Sequence, residues 1–469
     1  MLGLFGTLDM GARSLGVQQE EMSVAGQNLA NVSNTAYAEE QLDISESAPV
    51  ETMAGGEGGG VQVNSISSSR DPLLDIQIQA EGSASASLTA QQSSLQNAEA
   101  YLDEQISASS SSTAPDSANG LASNLSNLFG AFQALPNDPS SSSLRGNAVT
   151  YAQQVAQQFN QVSSQLSTVQ GNLNTSIKND VASSNQDLSD IATLNVQIAA
   201  AQNSGGGAAQ LVDQREQILE NLSGYANIST TAQSNGTVDV SIGGVTMVSG
   251  GAVADTLQAV DPGNGNVQVR EANGGQAVTL TGGSIEGELT ARDGALADLQ
   301  NGLNTLASSL ITSVNGIYSK GYDEYGNTGQ NLFTGSSASD IGVNTNVVKD
   351  PKQFQAAGAA GDSGDSSVAL ALGDLGSQNV PGLNGQTFSG YYANTVSNLG
   401  YSIATVNEKL DNSQTVTQML TNERASTSGV SVDTEMTNLI QYQKAYEASA
   451  ELISTLNQML QTAVQMKSS

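Results

Sequence analysis

Apolar residues return at intervals of seven at both ends of this chain. Leu8, Leu15, Met22 and Leu29 do so near the N-terminus, and Val432, Leu439, Tyr446, Ile453 and Leu460 near the C-terminus, with Met436, Ala450 and Val464 on the companion heptad positions. A seven-residue repeat keeps one seam of a helix facing a partner helix along its whole length. The pattern predicts that the terminal helices pair with each other, coiled-coil-like, and that the rest of the chain is hung on that pair. The last helix has a second apolar flank, Tyr442, Leu452, Leu456 and Met459, which one partner cannot cover. Either further helices of the chain surround it or neighbouring subunits do.

Between the ends the period changes twice. Residues 54–60 (AGGEGGG) signal a loop, and the alternation of Val61, Val63 and Ile66 predicts a short hairpin arm. Helical period resumes near Pro72, with Leu88, Leu95 and Leu102 in one stripe, and Pro136 and Pro139 break it. The longest helical signal follows: Val155, Phe159, Val162, Leu166, Val169 and Leu173, continued by Ile177, Val181, Leu188, Ile191 and Ile198, with Gly205, Gly206 and Gly207 expected to end it. A shorter helix is predicted over residues 211–225. From residue 228 to about 286 apolar residues alternate (Val238, Val240, Ile242; Val267, Val269), and Asn235-Gly236, Asn264-Gly265 and Asn273-Gly274 supply hairpin turns. Helical stripes return over residues 289–317, 396–420 and 432–464, whereas the Gly- and Ser-rich residues 321–392 show little period.

The predicted fold is mainly α with a β insertion. Residues 1–45 with 425–469 form a terminal coiled-coil assembly domain, residues 46–227 with 285–424 a helical bundle with irregular segments, and residues 228–284 a small all-β domain. The narrow stripes of residues 144–225 and 289–317 need antiparallel cover and are expected side by side in one bundle. Removing the β insertion is expected to leave a cooperative helical core.

Charge and composition remove most chemistry. Lys and Arg total 14 against 45 Asp and Glu, a net charge of -31, so nucleic acid and anionic membrane are poor partners. Only 13% of residues are charged, which leaves a polar, weakly charged surface suited to side-by-side packing of identical subunits. Cys and His are absent, which excludes disulfides, Cys or His metal sites and the common nucleophilic triads. No cleavable secretory signal and no apolar run of the ~20 residues that a membrane span needs are visible. No carboxylate pair stands out as a catalytic acid and base. Residues 323–327 (DEYGN) lack the oxygen-ligand run of a calcium loop and read as a Gly-Asn turn. The glycine-rich stretches lack the Lys of a phosphate loop. No catalytic, cofactor or metal residue is therefore expected.

Particular words in the sequence go further. Asn28-Leu29-Ala30-Asn31, leading to Tyr37, resembles the N-terminal signature of flagellar rod, hook and hook-associated proteins, and Ser428 to Leu460 is similar to their C-terminal segment. Residues 211–230 (LVDQREQILENLSGYANIST), 282–310 (GGSIEGELTARDGALADLQNGLNTLASSL) and 321–334 (GYDEYGNTGQNLFT) resemble the hook–filament junction family of hook-associated proteins. The resemblance implies a secreted structural subunit of the bacterial flagellum. Such a subunit passes unfolded through the type III export apparatus, is met by a chaperone at its C-terminal helix, and assembles with itself in a ring-like layer. Its neighbours are the hook protein and the second, filament-side hook-associated protein. No cofactor is implied. The expected assembly residues are Leu8, Leu15, Met22 and Leu29 against Val432, Met436, Leu439, Tyr446, Ile453 and Leu460, with Tyr442 and Leu452 toward neighbouring subunits. Gln443 and Asn457 fall where polar side chains would set register, and the terminal helices are expected to order only on assembly. Ala36 and Glu39 depart from the family's Gly and basic residue, which puts the turn after the first helix in question. A hook or distal-rod protein, or a surface enzyme or adhesin on a flagellar scaffold, are the alternatives.

Overall fold

The computed structural model describes residues 4–34, 36–48, 50–52, 55–102, 120–204 and 207–468. Helix α1 (Leu4–Ala30) leads into strand β1 (Glu40–Glu46), the small pair β2 (Val50–Thr52) and β3 (Gly55–Glu57), and β4 (Val61–Ser68). Helices α2 (Pro72–Leu102), α3 (Leu121–Ala134), α4 (Ser142–Asn203) and α5 (Ala209–Tyr225) follow. Strands β5 (Ile228–Ala232), β6 (Val238–Ile242), β7 (Val245–Ser249), β8 (Ala252–Val253), β9 (Leu257–Val260) and β10 (Gln268–Glu271) make up the β segment. Helices α6 (Ser284–Ala291) and α7 (Ala297–Tyr318) are joined by a widened turn kinked at Gly294. Short β11 (Phe333–Thr334), β12 (Gly342–Val343), α8 (Thr345–Lys349) and α9 (Ser367–Asp374) precede α10 (Phe388–Thr427) and α11 (Val432–Ser468).

The spine of the body is α4. Its 62 residues reach ~93 Å at ~1.5 Å per residue, and the Ser141 side chain caps its first turn by accepting from Leu144 N–H. Phe159, Val162, Leu166 and Leu173 face one core, shared with α3, α7, the end of α2 and the first half of α10. Farther along, Ile177, Val181, Leu188, Ile191 and Ile198 continue the same inward face, and all but Ile198 belong to a second core with α5, Ile285 of α6 and the β segment. α7 runs antiparallel to α4, with Gln170 Nε2 donating to Gln300 Oε1 at 2.9 Å and Arg292 Nη1 to Asn174 Oδ1 at 2.7 Å. Gly205 and Gly206, expected to end the helix, lie outside the described residues; α4 ends at Asn203.

The β segment is bound to α4 by side-chain amides acting as strand partners. Asn195 Nδ2 donates to the carbonyls of Val238 (2.8 Å) and Gly250 (2.7 Å), and its Oδ1 accepts from Val238 N–H (3.1 Å). Asn185 does the same to Leu257, at 2.8 and 2.9 Å, and Asn174 to Gly265 and Val267, at 2.8 and 3.1 Å. The three amides satisfy backbone groups that a small, open sheet leaves unpaired. The β segment thus shares the cover of α4's distal half with α5 and Ile285, so that Ile177, Val181, Leu188 and Ile191 pack partly against it.

The stretch over residues 321–392 is also ordered, despite its lack of period. Its short elements contribute separate anchors to the first core, among them Leu332, Phe333, Val347, Phe354, Leu372 and Leu383. Asn315 holds the entry, accepting from the N–H groups of Leu332 and Phe333 and donating to Phe333 O. Fully buried Arg145 donates to the carbonyls of Pro139, Lys352 and Phe354. Asp323 accepts from Tyr325 N–H, Asn327 N–H and Asn327 Nδ2, so its carboxylate is spent inside its own turn.

Two outcomes are expected. Deleting residues 228–281 with a short linker should strip hydrogen-exchange protection from residues 177–198 while residues 148–173 keep theirs; unchanged protection along all of α4 would contradict the shared-core assignment. Stability should also rise on acidification. Burial pushes Glu288 up to about 7 from 4.5, with Asp180 adding repulsion, and burial together with Asp190 pushes Asp187 up to about 6 from 3.8. A carboxyl raised in the fold stabilises it below the unfolded value and loses that contribution as pH climbs through the folded one. The melting temperature should therefore increase by a few degrees from pH 8 to pH 5.5, and Glu288→Gln should raise it at pH 8 and flatten the dependence.

Candidate assembly interface

Helices α1 and α11 pair antiparallel. Ser14 Oγ and Ser449 Oγ lie 3.4 Å apart, Asn28 Nδ2 donates to Glu435 Oε1 at 3.2 Å, and a methyl group added at Gly11 would sit 3.0 Å from the Ile453 side chain. The seam of α1 is formed by Gly11, Ser14, Val17, Val24, Ala25 and Asn28. Small residues at close positions let the facing helix approach the backbone, and larger ones are pushed to the shoulders. Leu8, Leu15, Met22 and Leu29 are half-buried.

On α11 the half-buried side carries Leu439, Tyr442, Ser449, Ile453, Leu456 and Leu460. Tyr442, expected to face neighbouring subunits, instead lines a small cavity with Glu21, Val24 and Asn28 of α1. Val432, Met436, Tyr446 and Leu452, expected in part within the seam, are exposed, as are Ile440 (57%) and Met459 (56%). The polar residues expected to set register, Gln443 and Asn457, are exposed too. The Ser14–Ser449 and Asn28–Glu435 contacts lie in the seam where a register-setting pair is needed. What remains is a two-helix stalk with apolar side chains of α11 left open on both sides of the seam.

Below the stalk lies a buried polar joint centred on Asn28. Its Nδ2 donates to Glu40 O (2.9 Å) and to Glu435, and its Oδ1 accepts from Glu40 N–H (3.0 Å) and the Tyr37 hydroxyl (2.8 Å). One amide, with all its capacity used, thereby links α1, β1 and α11. Arg70 sits next to it, bonded to Asp75 at 2.9 Å, to Asp213 of α5 at 2.8 Å, and to the Ala36 carbonyl. Ser428 O accepts from Glu39 N–H at 2.8 Å, and Ser428 Oγ donates to Ser69 O at 2.9 Å. Burial raises the carboxyls of Glu40, Asp213 and Glu435 above their ordinary values.

The two departures from the flagellar signature are absorbed here. Among the described residues Asn384 is the only non-glycine with positive φ, so Ala36 bears no strain of that kind, and its carbonyl is held by Arg70. Glu39 ties down through its backbone, while its side chain accepts from Gln41 Nε2 at 3.2 Å. Sequence reasoning missed Arg70, Asp213 and Ser428; the available signal was the pair of charged residues, Asp213 and Arg215, on the buried side of α5. Among the described residues no helix is long and apolar enough to cross a membrane.

Comparison with known proteins gives a consistent set of likenesses. The family model described as the flagellar hook-associated protein FlgK helical domain matches residues 107–333, and that described as the flagellar basal body rod FlgEFG protein C-terminal matches residues 423–466. Flagellar hook-associated protein 1 of Bacillus subtilis is 26% identical over 514 residues, covering 99% of this chain and 98% of that one. The Salmonella typhimurium protein of the same name is 23% identical over 562 residues, covering 97% and 98%. In fold, the chain is similar to the flagellar hook junction protein FlgK from Burkholderia pseudomallei, with a TM-score of 0.65 over 75% of this chain and 100% of that one, at 17% identity.

The thin seam and the dense joint predict where order ends in the isolated chain. Ordering backbone costs ~1–2 kcal/mol per residue, and a seam whose outright buried apolar side chains among the described residues are Val17, Val24 and Ala25 returns little of it. Limited proteolysis of the verified monomer should trim α1 and most of α11 and stop near the joint, around residues 36 and 430. Protection of both ends would overturn this.

Proposed function

The chain belongs to the flagellar hook-associated protein 1 family, and from that premise we propose that it is a structural subunit of the bacterial flagellum, built into the layer between hook and filament. The observation that carries this reading is the apolar surface left open on both sides of the stalk's seam. Met436 and Ile440 on one side of the paired face of α11, and Leu452 and Met459 on the other, stand exposed, and apolar surface left open along a paired helix calls for cover from another molecule. Neighbouring copies in a ring supply it. The hook protein on one side and the second hook-associated protein on the other bound the layer.

Export as an unfolded chain fits the same features. A chain without cysteine forms no disulfide that blocks threading, and a stalk that orders only when neighbours arrive leaves α11 available to a chaperone beforehand. The C-terminal match is to a segment named for rod proteins, whereas the FlgK helical-domain match covers α4, α5 and the β segment; this favours the junction over the rod or hook. The reading assigns no catalytic step to any residue.

Cells lacking the protein should bear hooks without filaments by electron microscopy; normal filaments would sink the proposal. Two double variants separate seam from flank. Leu439→Asp with Ile453→Asp places charges against α1, at a cost of several kcal/mol where no partner exists, and should open the stalk. Ile440→Asp with Met459→Asp leaves the seam intact, so the body's melting temperature should not change, yet hook attachment should fail. Normal attachment by the second variant would remove the flank from the interface.

A further inference from the structure

The body carries a feature that the stalk does not use. Between α2 and α4 runs a cleft of about 820 Å³, walled by Gly82, Ala86, Ala90 and Ser94 on α2 and by Leu173 and Ser176 on α4. The α2 residues recur every four positions and are all small, so the wall is low along several turns. Glu288 of α6 also lines the cleft and is only 7% exposed. One of its oxygens accepts from Ser176, while Oε2 is buried with no hydrogen-bond partner. Asp180 lies close enough to repel it, and is itself bonded to Ser284. Thr417, at the edge of the cleft, likewise has a buried hydroxyl without a partner. No basic side chain lines the cleft among the described residues.

A buried carboxylate with an unused oxygen, a second carboxylate nearby and no cation is an incomplete charge arrangement. The complement is present on the same molecule, on the exposed side of α10, whose Thr417 borders the cleft. Helix α10 turns Ile403, Val406 and Leu410 inward, and its Asn407 and Ser413 bond α2 through Gln92 and Glu81. Its opposite side exposes Tyr401 (76%), Lys409, Asn412, Val416 and Met419, at steps of three and four from Lys409 onward. That spacing makes a single ridge, and Lys409 has no acidic partner among the described residues.

We propose that the cleft between α2 and α4 receives the α10 ridge of a second copy of this chain, with Lys409 of that copy paired to Glu288. The small residues of α2 admit a helix at close range, Tyr401, Val416 and Met419 lose their exposure, and the charge arrangement is completed. Because ridge and cleft are different surfaces, the contact is head-to-tail, and such contacts close into rings when the rotation permits. The inference rests on the reading that the chain assembles side by side in the flagellum, and it adds a lateral contact at the level of the body to the one along the stalk.

The absence of cysteine from the sequence makes the test clean. Thr89→Cys places a thiol on the exposed rim of the cleft and Asn412→Cys one on the ridge, one turn from Lys409. Flagella isolated from cells making the double variant are treated with a short bismaleimide and denatured. A ladder of covalent multimers is expected, with only monomer from either single variant. Lys409→Glu should lower ladder yield roughly tenfold or more, and Lys409→Arg should retain it. Flagella that attach normally but give no ladder from the double variant would overturn the inference while leaving the junction role standing. Normal filaments in cells lacking the chain would overturn both.

Discussion

A helix must keep its apolar side covered along its whole length, and α4 carries such a side for 62 residues. No single core of ordinary size reaches that far. The chain meets the constraint by building two, one from helices and the irregular residues before α10, the other from α5, α6 and the β segment. The order of elements follows from this. The strands sit where they do because the distal half of α4 needs a partner, and α7 doubles back because the proximal half needs another. The stalk is the one part of the molecule that α4 does not organise.

The second recurring device is the asparagine amide. Asn28, Asn174, Asn185, Asn195 and Asn315 each use both ends of the side chain on backbone or hydroxyl groups of a neighbouring element. An amide offers donors and an acceptor without a charge to desolvate. That suits a chain with few cations: at -31, burying carboxylates as the main cross-links would leave most of them unpaired. Among the buried carboxylates, Asp75 and Asp213 stand against Arg70, Asp323 is spent inside its own turn, and Glu288 is held with a raised pKa.

Much of this was legible in the sequence. The stripe of α4, the change of period at the β segment and the pairing of the two ends follow from spacing alone. On α11 the spacing marked Leu439, Ile453 and Leu460, which the structure places on the half-buried side, whereas the small residues Gly11, Ser14 and Ala25 of α1 leave no column of leucines to notice. The order of residues 321–392 was missed because its anchors come singly from short turns and leave no period to detect. The joint was invisible for a related reason: Asn28, Arg70, Asp213 and Ser428 are distant in sequence and none belongs to a pattern. Only the resemblance of Asn28 and Tyr37 to a flagellar signature marked the place, and it did not say what the asparagine holds.

The chain leaves the stalk through Glu39 and returns to it through Ser428, and those two residues are bonded to each other and to Ser69. The body is therefore a closed loop drawn together at one neck. A pull on α1 against α11 separates the strands of that neck, but a twist or thrust applied to both together crosses it as shear, shared by several short bonds at once. A force applied to the stalk therefore enters the body through a few residues at its waist.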